Sequence, residues 1–252
     1  MLILNSRQNI YVHLHKNGGT SIELSLAPHL CWNDLLLGST PYGEVMQAFY
    51  AERFGLDKHS TAARIKVVVG NEVWRSYRKW ATVRSPYSRL ASLYGYAASL
   101  IEDELRPDHL ALISSEPSAR SWMSSPDYPS TEPWRFPLVR AYLVTRTEEQ
   151  PFSRFLRAPE LQEEPAFVPQ FDALSEDGVL IIDQFTRLET LSTSWPYVCA
   201  QMQLPSVALT RHNDTPARWR RDPRALFANR DDLDFVNDRF AQDFGAFGYE
   251  MV

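Results

Sequence analysis

The stretch Tyr11-Val-His-Leu-His-Lys-Asn-Gly-Gly-Thr-Ser21 decides how the rest of the chain is read. It runs from an apolar strand, through a lysine and two glycines, into two hydroxyl residues and a helix. Glycines let the backbone turn with positive φ and bring its N–H groups close to a ligand. A helix opening there adds unpaired N–H groups and the positive end of its dipole. Lys16 supplies a charge, and Thr20 and Ser21 supply hydroxyl donors. The order is not that of a Walker A loop, in which the lysine follows the glycines. The segment reads either as a phosphate cradle of another kind or as a plain strand–turn–helix connection.

A second informative stretch is Trp80-Ala-Thr-Val-Arg-Ser-Pro-Tyr-Ser-Arg-Leu-Ala-Ser-Leu-Tyr94. Trp80–Val83 reads as a core strand ended by Arg84, and Ser85-Pro86 as the start of a helix reaching about Ser99. Ser92 then lies about 10 Å up that helix from Ser85, on the same face. It is either a phosphate partner of Arg84 or a small packing residue.

Around these stretches the spacing predicts a strand at Ile10–Leu14 and helices at Thr20–Leu26 and Glu44–Phe54, the latter with Val45, Phe49 and Phe54 on one face. Thr61–Val69 is ambiguous between helix and strand. Arg106–Pro137 is rich in Pro and Ser and reads as an irregular loop. Val179–Asp183 reads as the clearest buried strand, Glu189–Met202 as a helix despite Pro196, and Asp231–Phe244 as an amphipathic helix. Strands alternating with helices predict an α/β fold with a mostly parallel central sheet flanked by helices. In such folds ligands bind at the carboxyl ends of strands, where both Lys16 and Arg84 fall. One domain over residues 1–252 is expected, with an irregular lid or acceptor-binding segment around 100–145.

Composition narrows the function. A net charge of −5 argues against nucleic acid as a general partner. Basic residues are nevertheless clustered, at Arg75–Arg89 and at Arg211–Arg224, as suits focusing on a small anion. No apolar run is long enough to span a membrane and the start is too polar for a signal peptide, so a cytoplasmic protein is expected. Cys31 and Cys199 lack metal-site spacing; reduced thiols are the simpler reading, with a single disulfide as the alternative.

The two stretches together resemble the PAPS-dependent sulfotransferases, in the branch that holds the carbohydrate O-sulfotransferases and their bacterial relatives. That family carries a pattern like H-x-P-K-[TN]-G-G-T-S, here His13-Leu-His-Lys-Asn-Gly-Gly-Thr-Ser21. A second pattern, like F-x-x-V-R-[DN]-P-Y-x-R-L-x-S-x-Y, corresponds to Trp80–Tyr94. Asp183–Glu189, His212-Asn213 and Asp243–Tyr249 are similar to the family's closing landmarks. His15 departs from the family's Pro, and Ser85 from its Asp or Asn.

The resemblance implies a P-loop-NTPase-like sulfotransferase fold and PAPS as sulfuryl donor, leaving PAP, with no metal. It implies that Lys16, Asn17, Gly18, Gly19, Thr20 and Ser21 hold the 5′ end and that Arg84 and Ser92 hold the 3′-phosphate. The loop after Asn213, with Arg218, would close over the cofactor. Lys16 would stabilise the leaving phosphate, and His59, or else His15, would be the general base toward a hydroxyl of a carbohydrate or small-molecule acceptor. Trp122, Tyr128 and Trp134 either stack on that acceptor or pack internally. The competing readings are a small-molecule kinase with a degenerate phosphate loop, for which Asp183 is the candidate Mg²⁺ ligand, and a non-catalytic PAP-binding protein. Oligomeric state is left open.

Overall fold

The computed structural model describes residues 1–205, 207–212, 216–227 and 229–252. The chain divides into two compact units that interleave in sequence: Met1–Ser85, Pro169–Asp214 and Gln242–Glu250 form the first, and Pro86–Val168, Thr215–Ala241 and Met251–Val252 the second. The first segment carries β1 (Leu2–Leu4), β2 (Asn9–Val12), α1 (Gly19–Leu26), β3 (Leu35–Leu36), α2 (Pro41–Phe54), α3 (Ala62–Ser76) and β4 (Arg78–Val83). The second unit then begins with α4 (Pro86–Ile101), α5 (Pro107–Leu112), α6 (Glu116–Met123), α7 (Pro137–Thr145), α8 (Pro151–Arg157) and α9 (Pro159–Gln162). The chain returns to the first unit with α10 (Gln170–Leu174), β5 (Ser175–Glu176), β6 (Val179–Leu180), β7 (Gln184–Arg187) and α11 (Leu191–Gln201). Helices α12 (Pro223–Leu226) and α13 (Arg230–Arg239) follow in the second unit, and α14 (Ala241–Phe247) leads back to the first.

The first unit is α/β, but its five-stranded sheet is mixed, in the order β3-β1-β2-β4-β7. Strands β2, β4 and β7 are parallel, whereas β1 is antiparallel to both β2 and β3. The departure from a mostly parallel sheet comes from Leu2-Ile-Leu4. This short apolar run folds back on β2 through a turn in which Gln8 takes a left-handed φ of 50°.

Side chains alternate across the sheet as the pleat requires. Ile3, Ile10, Val12, Ala81 and Val83 face a core completed by Leu56, Ile65, Trp74 and Phe247. Leu2, Leu4, Tyr11 and Trp80 face the other, completed by Ile22, Leu26, Trp195 and Val198. Tyr11 and Trp80 are in register across β2 and β4, their rings 4.4 Å apart.

Several local expectations change once the chain is folded. Val179–Asp183 is not the buried central strand. Val179 is 65% exposed in the small β5–β6 hairpin, and the place beside β4 goes to Gln184–Arg187. Asp183 sets that register: its N–H donates to the Lys79 carbonyl and its Oδ2 accepts from the Lys79 N–H. The stretch 100–145 is only partly irregular: it contains α5, α6 and α7, and the segment 124–136 between α6 and α7 has no helix or strand. Pro107, Pro117 and Pro137 sit in the first turns of these helices, where no backbone donor is needed, so they start helices rather than break them, while Pro126, Pro129 and Pro133 lie in the non-helical segment between α6 and α7. In α2, Val45 and Phe49 point outward at 71% and 55% exposure, and Gly43, Met46 and Tyr50 face the core instead. Ala62–Ser76 resolves as helix, kinked at Gly70. The tail forms two helices, α13 and α14, rather than one.

Trp80→Ala should cost about 3–5 kcal/mol in urea denaturation because it empties the centre of the sheet, whereas Val179→Ala should cost less than about 0.5. A large loss at Val179 would contradict this register.

Candidate anion-binding site

The carboxyl ends of the three parallel strands lie side by side and carry different charges. After β2 come His13–Gly18, after β4 comes Arg84, and after β7 comes Glu189. The loop after β2 makes a tight entry into α1. Lys16 takes a φ of 64° and Gly18 a φ of 77°, so glycine at 18 relieves a backbone strain that other residues resist. A Cβ at Gly18 would also lie 2.7 Å from Leu188 Cδ1, and one at Gly19 would overlap the His13 ring. The Gly-Gly pair therefore has a packing reason beside any ligand. Among the described residues, the N–H groups of Gly18, Gly19 and Thr20 meet no hydrogen-bond acceptor, and the Thr20 hydroxyl makes no hydrogen bond.

Lys16 and Arg84 are held together. Arg84 Nη1 donates to the Lys16 carbonyl at 3.1 Å. Burial, and then the Arg84 charge, lower the Lys16 ammonium to about 8. Burial also pulls the Arg84 guanidinium down, against Glu189 and Tyr249, which favour its charge. Glu189 accepts from the Ser85 N–H and the Tyr249 hydroxyl, each at 2.9 Å.

The position of the loop is set by a side chain that the sequence did not single out. Gln170, fully buried at the start of α10, accepts at Oε1 from Asn17 Nδ2 (2.7 Å) and the Arg84 N–H (2.9 Å). Its Nε2 donates to the Arg84 carbonyl (2.8 Å) and to Asp243 Oδ2 (3.0 Å). Asp243 also accepts from the N–H groups of Gln170 and Phe171. Asn17 is thereby a structural tie. Its side chain also donates to the Thr82 carbonyl, so it is turned into the protein rather than toward a ligand. No periodicity or motif marks Gln170. Asp243 and Glu189 fall within the family-like landmarks, but nothing in the sequence places them beside Arg84.

His59 and His15 come together: their rings stack with centroids 3.6 Å apart. The loop bearing His59 is an Asx turn, closed by the His59 N–H on Asp57 Oδ1, and Thr61 caps the helix that follows. His59 Nδ1 lies 3.0 Å from the His13 carbonyl, which can only accept. This assigns the proton to Nδ1 and leaves the lone pair on Nε2. Burial, then His13 and His15, hold the His59 imidazole well below its ordinary value, so it is neutral at pH 7. Behind it, His13 Nδ1 meets Glu23 Oε1 at 2.8 Å, and Glu23 also takes the Met1 amino group and the Ser39 hydroxyl. Burial alone would raise the Glu23 carboxyl; His13 and the amino group outweigh it and hold it at about 2.

Other expected site residues stand elsewhere. Ser21 exchanges hydrogen bonds with the backbone of His212, and Ser25 bonds Thr210, so the 210–212 segment is pinned along α1. Asn213 lies outside the described residues. Ser92 and Arg218 belong to the second unit, where Ser92 is half-buried on α4 and Arg218 is ion-paired with Asp103. Trp122 and Trp134 are buried and pack edge to face with each other and with Tyr128, with His109 edge-on to Trp134 and tilted against Trp122, which fits internal packing. Asp183, the candidate Mg²⁺ ligand of the kinase reading, is ion-paired with Lys79 at 3.0 Å. Cys31 and Cys199 are free thiols. Among the described residues, no helix is long and apolar enough to cross a membrane.

Comparison with protein-family models, with curated proteins and with solved structures returned no match.

Gln170→Ala should destabilise the protein by about 2–4 kcal/mol, because the Asn17 amide and the Arg84 N–H lose a buried acceptor. Thr20→Ala should cost less than about 0.5 kcal/mol. Urea denaturation of both variants checks the contrast.

Proposed function

We propose that this chain is a sulfotransferase that uses PAPS as donor and a hydroxyl-bearing carbohydrate or small molecule as acceptor. The observation that carries the reading is the pairing of Lys16 with Arg84 at the ends of adjacent parallel strands. Burial, and then the like charge of Arg84 held beside it through the Lys16 carbonyl, depress the Lys16 pKa, and a bound oxyanion relieves that cost. The open N–H groups of Gly18, Gly19 and Thr20 at the start of α1 suit the same oxyanion.

PAPS, when bound, supplies an already activated sulfuryl group. What remains for the protein is positioning and charge stabilisation. The Lys16 ammonium and the loop N–H groups neutralise charge at the phosphate end. The Arg84 fork binds oxyanion oxygens in pairs. His59 Nε2, with its lone pair exposed by the tautomer, accepts the proton of the acceptor hydroxyl, and the stacked His15 ring fixes its plane. Ser92 and Arg218 lie in the second unit, and the reading does not rest on them.

PAP should raise the thermal midpoint, and ATP with Mg²⁺ should not. The reverse pattern would favour the kinase. His59→Ala should leave the PAP Kd within about twofold and lower kcat by about 10²–10⁴. A wild-type protein that binds PAP but transfers no sulfuryl group to any hydroxyl acceptor would favour a non-catalytic binder.

The pH dependence has a definite sign. Lys16 titrates near 8 in the free site, and an anion favours its charged form. Binding at higher pH therefore takes up a proton, so affinity is full below 8 and falls as pH rises, by about tenfold per unit. Calorimetric PAP titrations from pH 7 upward should show this slope, and Lys16→Met should abolish it.

A further inference from the structure

A cavity of ≈ 550 Å³ opens within the second unit, with Tyr94, Phe152, Leu226 and Arg221 among its walls and Gln150 and Asn229 among its polar lining. Tyr94 stands two residues beyond Ser92 on α4, about 200° around the helix, so the cavity lies on another face of α4 from the one the donor motif would use. The Tyr94 ring is enclosed edge-on by Tyr142, Phe152 and Phe155, with centroids 5.4, 5.3 and 5.0 Å away. Only 6% of the residue is exposed. Its hydroxyl nevertheless makes no hydrogen bond among the described residues. A phenol this deep usually finds a partner, so its polar end is left for something that enters the cavity.

Arg221 stands beside it. Its Nη1 donates to the carbonyls of Arg218 (3.0 Å) and Arg220 (3.4 Å), and its guanidinium lies 5.6 Å from the Trp219 ring. Among the described residues it has no carboxylate partner. The neighbouring acids are already held: Asp232 by Arg157 and Ser153, Glu102 by Arg146 and Tyr142, and Asp103 by Arg218. Burial raises the Tyr94 phenol while Arg221 pulls the other way, so the phenol remains a donor, and it lines the same cavity as a guanidinium that has no carboxylate partner among the described residues.

We propose that this cavity binds an organic monoanion, a carboxylate on an aromatic or aliphatic body. The body rests against Phe152, Tyr94 and Leu226, and the carboxylate oxygens accept from the Tyr94 hydroxyl and the Arg221 guanidinium. One charge suits the site because, among the described residues, one guanidinium has no carboxylate partner, and Asp232 repels further negative charge. This site is independent of the sulfuryl-transfer reading.

The probe is 2-naphthoate, titrated calorimetrically into the full chain with and without saturating PAP. Saturable binding is expected, unchanged by PAP. Arg221→Ala should weaken it by about tenfold or more, and the neutral 2-naphthamide should bind at least as poorly. Tyr94→Phe keeps the ring and loses a hydroxyl with no protein partner, so it should weaken binding several-fold without moving the thermal midpoint. Thermal midpoints near that of the wild type establish that the Arg221 and Tyr94 variants are folded. No binding at millimolar naphthoate overturns the proposal, as does equal affinity for the amide or in Arg221→Ala. Displacement by PAP also overturns it and assigns the cavity to the donor.

Discussion

The side-chain amide of Gln170 has two donor hydrogens and two acceptor lone pairs, and all four are spent within the protein. Both its oxygen and its nitrogen reach the backbone of Arg84. Its oxygen also takes the Asn17 amide, and its nitrogen reaches Asp243. A fully satisfied buried amide is rigid because each partner lost would leave a desolvated group unpaired. The loop after β2 and the end of β4 are therefore fixed to each other through a residue that belongs to neither. Gln170 reaches this place only because the chain returns to the first unit after crossing the second, and α14, which brings Asp243, must return as well.

That constraint forces the charges into their arrangement. Lys16 and Arg84 are pressed together at adjacent strand ends, with Glu189 and Tyr249 on the far side of Arg84. Opposite them, Glu23 gathers His13 and an amino group in the interior, and the His13 backbone carbonyl orients His59. One half of this site carries two cations, and the other presents a neutral imidazole whose Nδ1 is turned to the His13 carbonyl.

Much of the site was legible in local sequence. A strand followed by lysine, two glycines and a helix is a short-range pattern, and the loop and helix formed where expected. Ser85-Pro86 likewise opened α4, and His59 did sit in a polar turn before a helix. Misreadings arose where local signals had two meanings. Pro107, Pro117 and Pro137 read as loop punctuation but occupy helix first turns, whereas Pro126, Pro129 and Pro133 do lie in a non-helical segment. The run Val179–Ile182 is more apolar than Gln184–Arg187, yet the less apolar segment took the place beside β4, because Asp183 bonds both the backbone and the ammonium of Lys79. Val45 and Phe49 obey helical spacing, but the same helix has a second apolar side at Met46 and Tyr50, and that side was buried.

The sequence by itself determined the elements whose signal lies within a few residues: the β2–loop–α1 unit, the strand ending at Arg84, and the left-handed turn that requires Gly18. Such features depend on φ/ψ preference and on alternation along one strand or helix, and both are local quantities. Tertiary structure alone decided which residues share a site. The mixed sheet, the Gln170 amide between Asn17 and Arg84, the His15–His59 stack and the placing of Arg221 in one cavity with Tyr94 all join positions far apart in the chain. Their physical cause is the need to satisfy buried polar groups and pack apolar faces at once, a condition set only when the whole chain is in place.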